Sequence, residues 1–200
     1  FTYIGEGCIY KNSESVIPDL KVSNHSLMNI YCQEILNELF KNILYLRIRY
    51  PVYGNFFPGC HLMKLISYNN ILDCNNSITI IDDLLPILIK MLEKKEKGIF
   101  NFFNNNHINS IDTLINLKQN FDSLIKFNVI SKDVHDNIIG ERSNGIFDNN
   151  NLRKFCEDNN LELNDSTNST INIINKMNDE CKELKYCLCC REKNILLLDL

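Results

Sequence analysis

Leu44-Tyr45-Leu46-Arg47-Ile48-Arg49-Tyr50-Pro51, then Asn76-Ser77-Ile78-Thr79-Ile80-Ile81-Asp82-Asp83-Leu84-Leu85-Pro86-Ile87-Leu88-Ile89-Lys90-Met91, then Gly98-Ile99-Phe100-Asn101-Phe102-Phe103-Asn104, decide how this chain folds. The first run is short, apolar and bounded by Asn42 and Pro51, which reads as a strand over 43–48. The second is a helix with Asp82 or Asp83 as its cap and Pro86 near its first turn, where proline is best tolerated. It closes on Lys94, Lys95, Lys97 and Gly98, the cations and glycine that the carbonyl end of a helix favours. The third run is again a strand, over 99–103. Strand, helix and strand in this order are the back half of a parallel α/β sheet.

Outward from this stretch, Thr2 to Gly5 reads as a short buried strand, followed by a polar loop from Lys11 to Asp19. Leu27, Ile30, Tyr31, Ile35, Leu36, Leu39 and Phe40 recur at three- and four-residue steps, which predicts a helix with a buried stripe. Tyr53 to Gly59 is a loop of glycine, proline and aromatic residues, and His61 to Tyr68 is helical. Beyond Asn104 the pattern is helical and increasingly polar, with helices over 110–119, 132–139 and 168–184. The expected organisation is a sheet region over 1–104 with a loop insertion at 52–76, a helical lobe over 105–184 and a cysteine-containing tail over 185–200.

Two hundred residues suffice for one domain with a real core. The net charge of −4 argues against a nucleic-acid or anionic-membrane surface. Asp82, Asp83 and Pro86 interrupt the longest apolar runs, short of the ~18 residues of a membrane span, so a cytoplasmic chain with no membrane partner is expected. Phe1 is not an initiator and no signal-peptide pattern follows it, so the chain reads as a fragment. Nine cysteines form an odd, irregular set, which favours reduced thiols. Cys181, Cys187, Cys189 and Cys190 lack the paired spacing of a structural zinc site, and no metal is expected. Thirty-one asparagines and no alanine reflect the base composition of the gene. Asparagine this frequent produces the glycosylation-like triplets at Asn24, Asn75, Asn164 and Asn168 by chance.

The stretch from 44 to 104, together with Phe1 to Tyr10, resembles the C-terminal part of the nucleotide-sugar 3,5-epimerase/4-reductases of rhamnose formation. These are similar to dTDP-4-dehydrorhamnose reductase and fall in the extended short-chain dehydrogenase/reductase superfamily. The resemblance implies the C-terminal half of a Rossmann-like parallel sheet with a small helical substrate-binding lobe. It also implies, for intact relatives, NADPH or NADH as cofactor and a 4-keto-6-deoxyhexose nucleotide as substrate.

That superfamily uses a tyrosine and a lysine four residues apart, one turn apart on the same helix face. The lysine lowers the phenol's pKa and holds the nicotinamide ribose, so the tyrosine can exchange a proton near neutral pH. A Ser or Thr at the end of the preceding strand bonds the sugar carbonyl. Alignment backward from Leu46-Arg47-Ile48-Arg49 places the tyrosine position at Asn29, the lysine at Gln33 and the threonine at Glu6. No member of this degenerate triad is chemically equivalent, because neither amide titrates and Glu6 brings a carboxylate to an oxyanion position. None of the eight tyrosines has a lysine four residues later. Gly5-Glu6-Gly7 is a G-x-G without a third glycine, and a tight strand-end turn explains it.

Arg142-Ser143-Asn144, followed by Asp148, matches a family element whose arginine contacts the sugar-nucleotide diphosphate; an ordinary loop arginine beside Glu141 is the other reading. Arg47 and Arg49 resemble a family Arg-Val-Arg near cofactor and substrate, with Arg49 and Pro51 as weak cofactor contacts, or else serve a structural ion pair. Lys64 matches a family lysine but also a solvated helix face. Three functions follow: a degenerate, truncated homologue that still binds a nucleotide sugar, with cofactor binding weak or lost; a reductase with a rearranged site, such as Tyr31 with Lys21 or Lys64; or a non-catalytic interaction subunit beside a homologous partner, using an unpaired sheet edge.

Overall fold

A chain whose apolar runs alternate between period two and period 3.6 must place its helices against a parallel sheet, and it does. In the computed structural model, which describes residues 1–7, 9, 24–54, 59–139 and 144–183, β1 (Thr2–Glu6) leads through α1 (Asn24–Leu39) to β2 (Leu44–Ile48). Short elements β3 (Pro51–Val52), α2 (His61–Ser67), β4 (Asn70–Leu72), β5 (Asn75–Asn76) and β6 (Thr79–Ile80) precede α3 (Ile81–Glu93) and β7 (Gly98–Asn101). Then follow β8 (Ile108–Asn109), α4 (Ser110–Asn120), β9 (Asn128–Ile130), α5 (Lys132–Ile139), α6 (Asn150–Asp158) and α7 (Ser166–Glu183).

The main sheet is parallel with order β1-β2-β7. Thr2 lies opposite Leu44, and Leu46 opposite both Ile4 and Phe100. The two-residue antiparallel pairing β5–β8 and the three-residue parallel pair β4–β9 tie the long connection to the lobe, and the two-residue parallel pairing β3–β6 closes the connection on itself.

Two cores follow from these faces. Leu44, Leu46 and Phe100 of the sheet pack with Leu84, Ile87 and Met91 of α3 and with Leu152, Phe155 and Cys156 of α6. The second core joins Val52, Leu62, Leu65, Ile71 and Ile80 to Leu114, Leu117, Ile174 and Met177, so the lobe draws on residues from both sides of position 104. A third, small cluster of Ile9, Ile30, Phe103 and Phe147 lies at the carboxyl ends of β1 and β7.

Several sequence expectations change here. β1 is not a buried strand: it is the sheet's edge, and Ile4 is 55% exposed. Of the apolar stripe on α1, Ile30 is buried, beside Ser26 and Gln33, while Tyr31, Ile35 and Leu39 are each more than half exposed. Period alone could not choose between the two faces. Neither Asp82 nor Asp83 caps α3; the cap position is Ile80, without a side-chain bond, and both carboxylates lie in the first turn, where the helix dipole favours them. Pro86 is the sixth residue of α3 and removes the bond to the Asp82 carbonyl, a loss offset by burial of Leu84, Ile87 and Met91. α6, with a short polar sequence, was not foreseen.

Gly5 is required by a close approach. A Cβ there would overlap the Tyr45 phenol, whose ring is buried beside Tyr3 at 5.1 Å between centroids. Burial pushes that phenol up to about 12. Gly5→Ala is therefore expected to lower the unfolding free energy by about 1–3 kcal/mol, as measured by urea denaturation, because the buried ring has nowhere to retreat.

Candidate functional site

In an open parallel sheet, ligands enter beyond the carboxyl ends of the strands. Here that edge is built around Arg49, which follows β2 and is 1% exposed. Its amide donates to Thr79 Oγ1 at 3.0 Å, its carbonyl accepts from the Thr79 amide at 2.8 Å, and Thr79 Oγ1 donates in turn to the Phe102 carbonyl at 2.8 Å. Its Nη2 donates to Asn76 Oδ1 at 3.0 Å. The guanidinium carbon lies 4.7 Å from the Tyr50 ring centroid and 4.8 Å from that of Phe147, distances at which a desolvated cation is attracted to an aromatic face.

Tyr50 adopts φ +42°, an unusual state for a bulky residue and more so before proline. Such strain costs on the order of 1–3 kcal/mol and persists only where the surroundings over-determine it. Here they do: the Tyr50 hydroxyl donates to Asn144 Oδ1 at 3.1 Å, and its ring stacks on His61 at 4.4 Å. Desolvation pushes the His61 imidazole down to about 3, with the Lys64 and Arg49 charges acting in the same direction, so His61 is neutral at physiological pH. It can accept or donate a hydrogen bond there but cannot supply a cation.

The segment beyond Asn144 is fastened to this edge. Gly145 N donates to Asn76 Oδ1 (3.0 Å), Ser77 N to the Gly145 carbonyl (3.1 Å), and Phe147 N to Ser77 Oγ (2.9 Å). Asn149 Nδ2 reaches the carbonyls of Phe103 and Asn104. Asn104 joins the lower side by accepting from Ile80 N and donating to Asp83 Oδ2, both at 2.8 Å.

The sequence-derived residues divide accordingly. Arg49 and Asn144 converge through Tyr50, whereas Arg142 and Ser143 lie outside the described residues. Pro51 is half-buried in β3, opposite Thr79. Glu6, at the last place of β1, is half-buried opposite Ile48. Arg47 is not answered by a carboxylate alone: its Nε donates to Gln33 Oε1 at 2.8 Å and its Nη1 approaches Asn101 Oδ1 at 3.4 Å. Gln33 therefore braces α1 against β2, and Asn29 is only half-buried. The buried pair one turn apart near the carboxyl edge is Ser26 and Ile30. Tyr31 is 51% exposed and Lys64 is exposed. Sequence reasoning missed Tyr50, His61, Asn76 and Asn149; a tyrosine wedged between Arg49 and Pro51 was the signal for the first, and the abundance of asparagine hid the last two. Among the described residues no group of three His, Cys, Asp or Glu could hold a metal ion, and no helix is long and apolar enough to cross a membrane. Cys187, Cys189 and Cys190 lie outside the described residues.

No family model matches the chain. Its sequence is 31% identical over 114 residues to protein L780 of Acanthamoeba polyphaga mimivirus, covering 52% of this chain and 39% of that protein. The crystal structure of L780, described as a UDP-rhamnose synthase, superposes with TM-score 0.77 at 24% identity, over 88% of this chain and 64% of that one. A trifunctional UDP-glucose 4,6-dehydratase/UDP-4-keto-6-deoxy-D-glucose 3,5-epimerase/UDP-4-keto-L-rhamnose-reductase of Arabidopsis thaliana is 30% identical over 152 residues, 75% of this chain and 22% of the plant protein. The dTDP-4-dehydrorhamnose reductase of Bacillus anthracis, solved with NADP, shares the fold at TM-score 0.64 and 13% identity, over 90% of this chain and 65% of that one. The chain thus spans less than two thirds of the length of each, and the Rossmann-like fold of nicotinamide-binding reductases and epimerases is the one it adopts.

The charge state of His61 gives a pH dependence. Its folded pKa lies below its unfolded value of 6.5, so the unfolded chain takes up the proton first. This contribution to stability is complete above pH 6.5 and falls as pH drops from 6.5 toward 3, by up to about 1.4 kcal/mol per pH unit. Urea midpoints of the chain and of His61→Phe, followed from pH 7.5 to 4.5, are expected to diverge, with the variant showing the shallower decline.

Proposed function

We propose that this chain, a homologue of the nucleotide-sugar epimerase/reductases that form UDP- and dTDP-rhamnose, binds a nucleotide sugar without carrying out the reduction. The reading rests on one observation above all: Ser26 and Ile30 hold the buried, inward places one turn apart on α1. These inward places carry a hydroxyl and a hydrocarbon, and the positions to which the resemblance assigns the phenol and the ammonium, Asn29 and Gln33, carry two amides. Serine does not titrate near neutral pH and isoleucine cannot lower a neighbour's pKa, so the pair cannot relay a proton.

Nicotinamide cofactors accompany the solved neighbours of this fold. The residues at this edge do not suit one. The lysine that would hold the ribose is replaced on the inner face of α1, and the buried cation of the edge, Arg49, is committed to Asn76, Tyr50 and Phe147. The rearranged pair of Tyr31 with Lys64 has no support in the geometry, because both side chains face solvent, and Lys21, the other candidate cation, lies outside the described residues.

What the edge does offer is recognition. Arg142 and Ser143 directly precede Asn144 in sequence, and Asn144, the last residue of the element that the resemblance links to a diphosphate, is bound to Tyr50. A guanidinium suits that bidentate anion. In this reading the chain is a cytoplasmic, non-catalytic subunit or portion, degenerate in its chemistry, that binds a nucleotide sugar beside an intact homologous partner.

UDP-glucose or UDP-rhamnose is expected to raise the thermal midpoint of the chain in proportion to RT ln(1 + [L]/Kd), and Arg142→Ala to abolish the rise. NADPH and UDP-4-keto-6-deoxyglucose, supplied together, are expected to be left unconsumed when absorbance at the reduced-nicotinamide band is followed. Consumption of NADPH by the purified chain would refute the non-catalytic reading.

A further inference from the structure

The carboxyl edge of the sheet is divided. One side holds Arg49, Tyr50, His61 and Asn144; the other is filled by hydrocarbon. Ile30 reaches this second side from α1, Ile9 from the turn beyond β1, Phe103 from the residues after β7, and Phe147 from the strap that leads to α6. All four are buried, the first three to 1% exposure. The rings of Phe103 and Phe147 lie 6.3 Å apart at 54°, a tilted aromatic pair. Gly7 leaves the room they need: a Cβ there would lie 3.0 Å from Phe103 Cζ and 3.4 Å from Arg49 Cγ. The strap cannot swing aside on its own, since the amides of Gly145 and Phe147 and the Asn149 side chain are all hydrogen-bonded to the sheet side.

We propose that Ile9, Ile30, Phe103 and Phe147 form a dry plug that has turned half of the sheet's ligand-entry edge into core, closing it to a nicotinamide ring and ribose. Four segments distant in sequence contribute one side chain each, and each is apolar. A polar cleft in use would leave at least one of them wet or replace it by a donor. A buried polar group without partners is costly, whereas a filled apolar volume stabilises through area removed from water and close contact. Gly7 and Arg49 complete the closure, the first by having no side chain and the second by capping the Phe147 ring. The inference rests on the non-catalytic reading above, and the two can fail separately: that one on nucleotide-sugar binding and turnover, this one on packing at the plug.

The test uses the full chain and two substitutions. Ile30→Cys places a thiol inside the plug in a side chain smaller than the one it replaces, and its alkylation by iodoacetamide is followed by peptide mass spectrometry beside native Cys60, which is buried, and Cys32, which is half-buried. The thiol at position 30 is expected to react no faster than Cys60. Phe103→Ala is expected to lower the thermal midpoint by roughly 10 °C. NADPH at millimolar concentration is expected to leave the midpoint of the unsubstituted chain unchanged. Rapid alkylation at position 30 in the folded chain would overturn the plug, as would a Phe103→Ala midpoint within 2 °C of the parent or a rise in midpoint with NADPH. If Phe103→Ala does not fold, the alkylation rate decides alone.

Discussion

A guanidinium taken out of water has to be met on every side by groups that replace its hydration, and Arg49 imposes that requirement on the whole carboxyl edge. An amide oxygen from Asn76 and the faces of two rings meet the guanidinium, while Thr79 pairs with the Arg49 backbone that carries it. These groups come from the long connection after β2, from the strap after Asn144 and from the residue next in sequence. Each segment is thereby held where its other contacts can form: Asn76 also accepts from Gly145, and Tyr50 also stacks on His61 and donates to Asn144. The depression of the His61 pKa is partly a second sign of the same charge.

Much of the scaffold was legible because it follows from period and punctuation. β2, α2, α3, β7 and α4 lie within a few residues of where apolar spacing and terminal glycines, prolines and asparagines put them. What failed shares one cause. Period reports that a face is apolar but not which neighbour covers it, so Tyr31, Ile35 and Leu39 read as inward together with Ile30, while the residues that are buried are Ser26, Ile30 and Gln33. β1 looked central because it is apolar, yet the sheet order makes it an edge. The site was legible only where a charged residue marked it. Arg49 stood out; Asn76, Asn104 and Asn149, which do comparable hydrogen-bonding work, were lost among 31 asparagines.

Fold and chemistry separate cleanly in such a chain. The sheet core of Leu44, Leu46, Phe100 and α3, and the lobe core beneath α4 and α7, contain nothing that a reductase needs for proton transfer. They can persist while the residues at the edge between them change their role from relay to packing or recognition. Gln33 belongs to the scaffold: its side chain holds Arg47 and so couples α1 to β2.

The turn at Asn144-Gly145 carries a chemical consequence of its own. Asparagine followed by glycine is the dipeptide most prone to spontaneous deamidation, because the unhindered glycine nitrogen can attack the side-chain carbonyl carbon, form a succinimide and expel ammonia. Here that nitrogen's hydrogen is given to Asn76 and the carbonyl oxygen under attack is held by the Tyr50 hydroxyl. The ring closure requires that nitrogen to leave Asn76 and the Asn144 side chain to turn its carbon toward it, out of the pose in which the phenol holds it. The contacts that seat the strap therefore also set the chemical lifetime of the polypeptide at its most perishable bond, and ageing there would install a carboxylate against a phenol.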